Sequence, residues 1–184
     1  MPTPAKTSIE AIVAAGRQIL EAEGLDALTL QAVARAVGVR APSLYKRIDG
    51  RDDLIRRIAN DAAAELRSVL AAVPHDDPAQ ALQTMAHAVR RFARANPRAY
   101  ALLLASLPED ARVDEQLNAD LAATIVRAAG ELAGSENALN AGRVVVAWLH
   151  GFVTMELAGA FRLGGDVDQA FEFGVDHVVR GLER

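Results

Sequence analysis

A short segment near residue 45 carries side chains that can contact a nucleic acid. Its cationic or hydroxyl-bearing side chains are Arg40, Ser43, Tyr45, Lys46 and Arg47. Such groups donate hydrogen bonds to phosphate oxygens, and an arginine can also pair in bidentate fashion with the edge of a guanine. Leu44 and Ile48, four residues apart, share the opposite face of a helix. The segment therefore predicts a helix with an apolar inner face and an outer face suited to DNA.

Another helix must come directly before this one to hold it in place. Thr29 can cap that helix through its hydroxyl, and apolar residues then recur at helical spacing up to Val37. Gly38 tolerates the left-handed conformation that ends a helix, and Pro42 suits the first turn of the next one. The pattern predicts a helix-turn-helix whose second helix could enter a DNA major groove. An ordinary corner between two helices is the alternative interpretation.

The order and spacing of residues around this motif resemble a known protein family. The matching features are Glu23-Gly24, Leu28-Thr29, Val33-Ala34, Gly38-Val39, Ser43-Leu44-Tyr45, and Leu54 after a basic residue. With these features, the stretch from Ser8 to about Ile58 resembles the DNA-binding domain of the TetR family of bacterial transcriptional regulators. The resemblance covers the first third of the chain.

The resemblance implies which side chains contact DNA. Those expected to contact backbone phosphates are Thr29, Gln31, Tyr45 and Arg51. Those expected to approach base edges are Arg40, Ala41, Pro42, Ser43 and Lys46. Residues 1–51 would form the DNA-binding domain, and residues 52–184 would form a helical regulatory and dimerisation domain.

The composition favours an all-α fold and places positive charge at the motif. Hydrophobic residues make up 51% of the 184 residues but aromatic residues only 4%, and helical periodicity recurs along the chain. The net charge is −4, yet residues 35–57 contain seven basic and three acidic residues, which is a local net charge of +4. This concentration of positive charge fits a partner that carries phosphate groups.

Caps and breaks in the sequence predict about nine helices. Asp77-Pro78 and Asn96-Pro97 each indicate the start of a helix, and Asp166 starts the last one. The helix before it is expected to begin at Ser135 or Asn137 and to run to about Leu163. Residues 144–161 carry one formal charge, and that length approaches a membrane span. Polar residues and glycines interrupt the run, so we prefer a helix that is buried on several sides.

The last helix carries a narrow apolar seam, which predicts a contact between two copies of the chain. The seam residues are Val167, Phe171, Gly174, Val175, Val178 and Leu182. Two long helices from each of two chains can form a four-helix interface, and in the TetR family the last two helices commonly do so. Such a homodimer would present its recognition helices to two half-sites of a palindromic operator, about 34–36 Å apart.

The alanine-rich helices of the second domain predict a cavity for a small, mostly apolar effector. The candidate lining residues are Met85, Phe92, Tyr100, Leu103, Leu104, Leu107, Trp148, Phe152 and Met155. Ordinary core packing is the alternative for each of them. Trp148, His150 and Gly151 also resemble the Trp-His-Gly signature of one TetR C-terminal subfamily. Bound effector would favour a dimer that no longer fits the operator. The resemblance therefore implies a repressor, with an activator of the same fold as the alternative.

The residue pattern argues against an enzyme. The four histidines lack metal-ligand spacing, cysteine is absent, and neither a glycine-rich phosphate loop nor a nucleophile elbow is present. We expect no catalytic residue, metal or cofactor. A helical ligand carrier without DNA binding is another alternative, against which the basic stretch from Arg40 to Arg51 argues. The N-terminal residues lack an apolar export signal, so we expect a cytoplasmic protein without membrane association.

Overall fold

The computed structural model describes residues 8–183, and every regular element within that range is helical. Eight α-helices are joined by loops that include three short 3-10 turns, over Ala41–Ser43, Glu109–Ala111 and Ser135–Asn137. The α-helices are α1 (Ile9–Glu23), α2 (Leu30–Ala36), α3 (Arg51–Ala71), α4 (Pro78–Ala95), α5 (Pro97–Leu104), α6 (Glu115–Ala133), α7 (Ala138–Leu157) and α8 (Val167–Arg180). The predicted all-α fold is confirmed. Residues 1–7 and 184 of the two predicted domains lie outside the described range.

The chain forms two compact units that interleave along the sequence. One contains the described residues through Glu65 together with Asn96–Leu117, and the other contains Leu66–Ala95 together with the described residues from Asn118 onward. Helix α3 runs from the first unit into the second. The predicted domain boundary after residue 51 lies at the start of α3, and the assignment of a separate function to each side of it stays a prediction.

In the first unit, α1 packs closely against the first half of α3. Ile12 and Leu20 are buried on the inner face of α1, and Gly16 lies on the same face between them. A Cβ atom at Gly16 would lie 2.8 Å from Ile58 Cδ1, so a larger residue would force the Ile58 side chain to shift. Leu44 and Ile48 of the segment after α2 are also buried in this unit.

In the second unit, α4 contacts both α7 and α8. Leu82, Met85 and Val89 recur at helical spacing on the buried face of α4. Helices α6 and α7 approach closely at Gly142, where a Cβ atom would lie 2.6 Å from Val126 Cγ2. The absence of a side chain at Gly142 thus lets α6 and α7 approach closely.

The predicted starts of α4 and α8 are confirmed. Asp77 accepts hydrogen bonds from the N–H groups of Ala79 and Gln80, at 2.9 and 3.1 Å. Asp166 does the same at the start of α8, accepting from the backbone two and three residues later at 2.8 and 3.2 Å. A carboxylate in this position satisfies N–H groups that have no partner inside the helix, so these caps fix where each helix begins.

Helix α7 ends at Leu157, well before the end predicted near residue 163. Gly159 adopts a φ of +62°, and the Ala160 N–H donates to the Met155 carbonyl at 2.9 Å. This bond closes a Schellman motif, which stops a helix and turns the chain away from its axis. No helix in the part of the chain that the structure describes has the length and apolar character needed to cross a membrane.

Candidate nucleic-acid interface

The turn that ends α2 is built as the sequence predicts. Thr29 caps α2, since its hydroxyl accepts a hydrogen bond from the Ala32 N–H at 3.1 Å. Gly38 follows the helix with a φ of +73°, and the Val39 N–H donates to the Ala34 carbonyl at 2.9 Å. A residue with a Cβ atom would be strained at this φ. The turn therefore sets the direction of the segment that follows.

That next segment is less regular than the predicted second helix, which is a correction. It forms a 3-10 turn over Ala41–Ser43 and then continues in turns. The N–H groups of Arg47 and Ile48 both donate to the Leu44 carbonyl, at 2.8 and 2.9 Å. Gly50, with a φ of +106°, ends the segment. An α-helix is stabilised by hydrogen bonds from each N–H to the carbonyl four residues earlier. A segment this short can form few of them, so a regular α-helix gains little stability here.

The recognition segment, defined here as residues 40–48, is held by its apolar side and exposes its polar side. Leu44 and Ile48 are fully buried. The exposed residues are Arg40, Pro42, Ser43, Tyr45, Lys46 and Arg47, and Ala41 is half-buried. Tyr45 is 61% exposed, so its ring packs little against the chain. The predicted inner and outer faces of the segment are confirmed.

Two of the exposed cations have no hydrogen-bond or ion-pair partner among the residues that the structure describes. Neither the Arg40 nor the Lys46 side chain forms an ion pair or hydrogen bond with another residue between 8 and 183. The Thr29 hydroxyl accepts from α2 but keeps its own proton for donation, and Gln31, the second residue of the same helix, is exposed. These four side chains are therefore available to an external anion.

Arg51, predicted to contact a phosphate, forms hydrogen bonds within the chain. Its Nε donates to the Leu28 carbonyl at 2.9 Å, and its Nη2 donates to the Leu25 carbonyl at 2.6 Å. Both carbonyls belong to the loop between α1 and α2, so Arg51 fastens this loop to the first turn of α3. A guanidinium group has five N–H donors in total. Contact with a phosphate through the remaining donors stays a prediction.

Asp53 joins the end of the recognition segment to α3, a role that the charge pattern alone does not reveal. Its buried carboxylate accepts hydrogen bonds from the Asp49 N–H at 3.0 Å and from Arg56 and Arg57 at 2.5 and 2.9 Å. Burial by itself would raise the pKa of Asp53, but these hydrogen bonds outweigh burial and hold the pKa below its ordinary value. Arg56 and Arg57 are thus ion-paired with Asp53.

Comparison with known proteins decides the family to which this fold and motif belong. The family described as "Bacterial regulatory proteins, tetR family" matches residues 12–58, and "Tetracyclin repressor-like, C-terminal domain" matches residues 82–178. Rv0681 of Mycobacterium tuberculosis, named as an uncharacterized HTH-type transcriptional regulator, is 32% identical over 188 aligned residues. That alignment covers 98% of this chain and 84% of the relative. The chain belongs to the TetR family. It is a DNA-binding transcriptional regulator and not an enzyme.

Solved structures of TetR-family proteins share the fold of this regulator. TetR-Q116A from Acinetobacter baumannii AYE, in complex with minocycline, has a TM-score of 0.69 at 24% identity, covering 95% of each chain. The Streptomyces coelicolor TetR family protein ActR, in complex with (S)-DNPA, has a TM-score of 0.68 at 21% identity. The alignment covers 97% of this chain and 98% of the ActR chain. At sequence identities of 24% and 21%, these two structures show only that the chains share a fold.

The predicted effector-lining residues of this TetR-family regulator fall in both compact units. Those in the first unit are Tyr100, Leu103, Leu104 and Leu107, and those in the second are Met85, Phe92, Trp148, Phe152 and Met155. Met85, Phe92 and Tyr100 are buried, whereas Leu104 and Met155 are about half exposed. Burial raises the pKa of Tyr100 to about 12, so its hydroxyl stays protonated at neutral pH. The set as an effector site, and the Trp-His-Gly subfamily, stay predictions.

The structure buries part of the predicted dimer seam on the inner face of α8, and the seam as a dimer contact stays a prediction. Phe171 and Val175 are buried within the second unit, and the Phe171 and Trp148 ring centroids are 5.6 Å apart. Gly174 also faces Trp148, because a Cβ atom there would lie 2.3 Å from the indole Cζ2. The half-buried members of the seam are Val167, Gly174, Val178 and Leu182. Helical periodicity identifies an apolar face but does not show whether the same chain covers it.

A different helix face is apolar and exposed. Val144, Ala147, Gly151 and Met155 share one side of α7, and all four are exposed. We call this set the outer face of α7. A Cβ atom at Gly151 would meet nothing within 4 Å. Phe173 on α8 is also 65% exposed. Within the described residues the chain leaves these apolar groups uncovered.

Proposed function

We propose that this regulator is a repressor that binds a palindromic operator as a homodimer and leaves it when a small, mostly apolar ligand binds. The observation that carries the DNA-binding surface is a contrast between cations. Arg40 and Lys46 on the recognition segment are unpaired within the described chain. Arg51 is hydrogen-bonded to loop carbonyls, and Arg57 is held by Asp53. Unpaired surface cations offer a phosphate group all their donors, whereas Arg51 has already committed some donors and the charge of Arg57 is offset by a carboxylate.

In this proposal the recognition segment reads bases while its neighbours position it. Arg40 pairs with a guanine edge, and Ala41 and Pro42 contact a thymine methyl group. Thr29 and Tyr45 donate to phosphate oxygens, which sets affinity and register but carries no sequence information. The segment is well suited to this task because its buried leucine and isoleucine hold the backbone while the polar side chains remain exposed.

Dimerisation supplies the second half-site that one recognition segment cannot read. The outer face of α7 supports this part of the proposal, because it is an apolar face that the described chain leaves exposed. Ala147 and Gly151 are small enough to let two helices approach to the usual 8–10 Å between axes. Two segments related by a twofold axis would then read half-sites about 34–36 Å apart.

Release by a ligand is supported by what TetR-family structures hold. The Acinetobacter variant is in complex with minocycline, and ActR is in complex with (S)-DNPA. A ligand that prefers a dimer with mismatched recognition segments shifts the population away from DNA by its difference in affinity. Helix α3 would carry this motion, because it begins just after the recognition segment and continues into the second unit.

Selection of duplexes from a random DNA pool tests the proposed function. The full-length protein should enrich a palindrome, bind it as a dimer, and lose affinity steeply as salt rises, because phosphate contacts release counterions. Small molecules are then screened for release of the enriched duplex. Transcription in vitro with and without the protein separates repression from activation. A pool without any enriched sequence, or a protein that binds its duplex as a monomer, would rule the proposal out.

Replacing Arg40 with alanine should weaken binding to the enriched duplex by about 1–3 kcal/mol and relax the preference at one base pair, because a bidentate base contact is lost. Competition titrations with duplexes that are changed at one position at a time measure both effects. Arg91→Ala is the control, since Arg91 is an exposed arginine on α4 and lies outside the recognition segment. Unchanged affinity together with unchanged base preference would show that Arg40 does not read a base.

Replacing Tyr45 with alanine should weaken the enriched duplex and a random duplex by similar factors, because a phosphate contact is made on any sequence. The ring is mostly exposed, so its removal leaves the core intact. Tyr45→Phe keeps the ring and removes the hydroxyl donor, and we expect it to lose most of the same affinity. A loss confined to the enriched duplex would assign Tyr45 to base readout instead.

A further inference from the structure

The end of α1 and the start of α5 cap each other. The Glu21 carboxylate accepts hydrogen bonds from the backbone N–H groups of Arg98 and Ala99, at 3.1 and 2.8 Å. In return, Nη1 of Arg98 donates to the Leu20 and Glu21 carbonyls, at 3.2 and 2.7 Å. We call these four hydrogen bonds the Glu21–Arg98 clasp. It joins residues that are 77 or 78 positions apart within the first unit.

The clasp supplies hydrogen-bond partners at the ends of both helices. The Leu20 carbonyl also accepts from the Gly24 N–H at 2.9 Å, so Arg98 is its second donor. The first N–H groups of a helix and its last carbonyls have no partner within the helix. A carboxylate at the start of α5 and a guanidinium at the end of α1 also match the signs of the two helix dipoles. Asn96 makes no capping bond to α5, because its Oδ1 accepts from Arg17 at 2.9 Å. Glu21 of α1 therefore acts as the cap of α5.

Arg17 reinforces this connection one turn earlier on α1. It lies four residues before Glu21 and so on the same face of the helix. Besides Asn96, its guanidinium contacts Asp61 and Glu65 of α3, at 2.8 and 2.6 Å. Helix α1 thus holds the start of α5 at two successive turns and also holds α3. Displacement of α5 by itself would break several charge-assisted hydrogen bonds.

We propose that the Glu21–Arg98 clasp couples α5 to the DNA-binding segment, so that α5 and α1 move together. This inference rests on the proposed function, since α5 carries Tyr100, Leu103 and Leu104 of the predicted effector site. It adds a second connection to the route through α3. Coupling between two equilibria is reciprocal, so bound DNA must change the stability of α5 by the same factor with which opening of α5 changes DNA affinity. The coupling can therefore be measured with DNA, before the effector is known.

Hydrogen exchange of the full-length protein with and without the enriched duplex tests the clasp. A peptide covering residues 97–107 reports on α5, including the N–H group of Ala99. In the wild-type protein we expect DNA to slow exchange of this peptide by at least about 5-fold, the lower end of ordinary coupling between sites. In Glu21→Ala and Arg98→Met the ratio of rates with and without DNA should fall to about 1. If the clasp stabilises α5 only locally, α5 in these variants should exchange faster both with and without DNA. The ratio of the two exchange rates would then equal that of the wild-type protein.

Matched controls and milder variants keep the test decisive. Glu23→Ala removes an exposed carboxylate from the same end of α1, and Arg91→Met removes an exposed arginine from α4. Both should keep the wild-type ratio. Should Glu21→Ala unfold α5, Glu21→Gln retains an acceptor and gives an intermediate ratio. A wild-type ratio in both clasp variants, or no effect of DNA on α5 in the wild-type protein, would overturn the coupling. Failure to enrich any duplex would instead count against the proposed function.

Discussion

Replacing Gly151 with arginine should turn the regulator into a folded monomer that no longer binds its operator with useful affinity. Among the described residues, a Cβ atom at Gly151 has no neighbour within 4 Å, so the new side chain can leave the helix without a clash at its base. Between two copies it would separate helices whose axes must lie about 8–10 Å apart, and it would bury an unpaired charge. With one recognition segment per molecule, affinity should fall about 1000-fold or more, toward the level of non-specific binding.

Sedimentation, circular dichroism and titration of the enriched duplex measure the three consequences of this change. Arginine has a higher helix propensity than glycine by up to about 1 kcal/mol, so helicity should not fall. Ala123→Arg is the control, because it adds the same charge at an exposed position on α6. A Gly151→Arg protein that remains dimeric and binds its duplex normally would place the dimer contact on a different face.

Caps and turns are the part of this architecture that the sequence predicts well. Thr29, Asp77 and Asp166 each offer a side-chain oxygen to N–H groups two or three residues later, and Gly38 allows the positive φ that the turn needs. These interactions involve adjacent residues, so they can be recognised without knowledge of the rest of the fold. The recognition segment is predictable for the same reason, although its backbone is less regular than a helix.

Contacts between distant residues could not be predicted. Arg90 pairs with Glu156 across 66 positions, and nothing adjacent to either residue indicates the other. The face of α8 that carries Phe171 has the correct apolar spacing for an interface, yet the chain itself covers that face. The same spacing serves a core and a dimer contact equally well, since both bury apolar area. The candidate DNA contacts are a third case. Their residue types and exposure can be predicted from the sequence, but the partner that they would contact is not part of the chain.

Replacing Arg90 with methionine should lower the free energy of unfolding by about 3 kcal/mol, the lower end for breaking a buried ion pair. Arg90 is 5% exposed and donates to both Glu156 carboxylate oxygens, at 2.8 and 2.6 Å. It also donates to Asp168 at 2.6 Å, and its guanidinium carbon lies 4.3 Å from the Phe171 ring centroid. Methionine fills much of the same volume, so the loss reports on the charge interactions. Denaturant unfolding at fixed protein concentration measures this loss.

Arg94 provides a matched control, because it binds the same two carboxylates from an exposed position. It lies one turn after Arg90 on α4, and its side chain is 46% exposed against 7% for Arg90. Exposed ion pairs contribute about 0–1 kcal/mol, so Arg94→Met should cost far less than Arg90→Met. Equal losses in the two variants would show that burial does not decide the strength of this network.

The network also predicts how stability depends on pH. The hydrogen bonds from Arg90 hold the pKa of Glu156 below its ordinary value of 4.5, and they outweigh the burial that would raise it. Because this pKa is lower in the folded state than in the unfolded state, the network stabilises fully above about pH 4.5 and loses that contribution as pH falls through the folded pKa. Glu156→Gln should therefore be less stable than the wild-type protein at neutral pH. Its stability should fall less steeply below pH 4.5, since glutamine has no carboxylate to protonate. Parallel losses of stability with acid in both proteins would place the acid-sensitive interaction elsewhere.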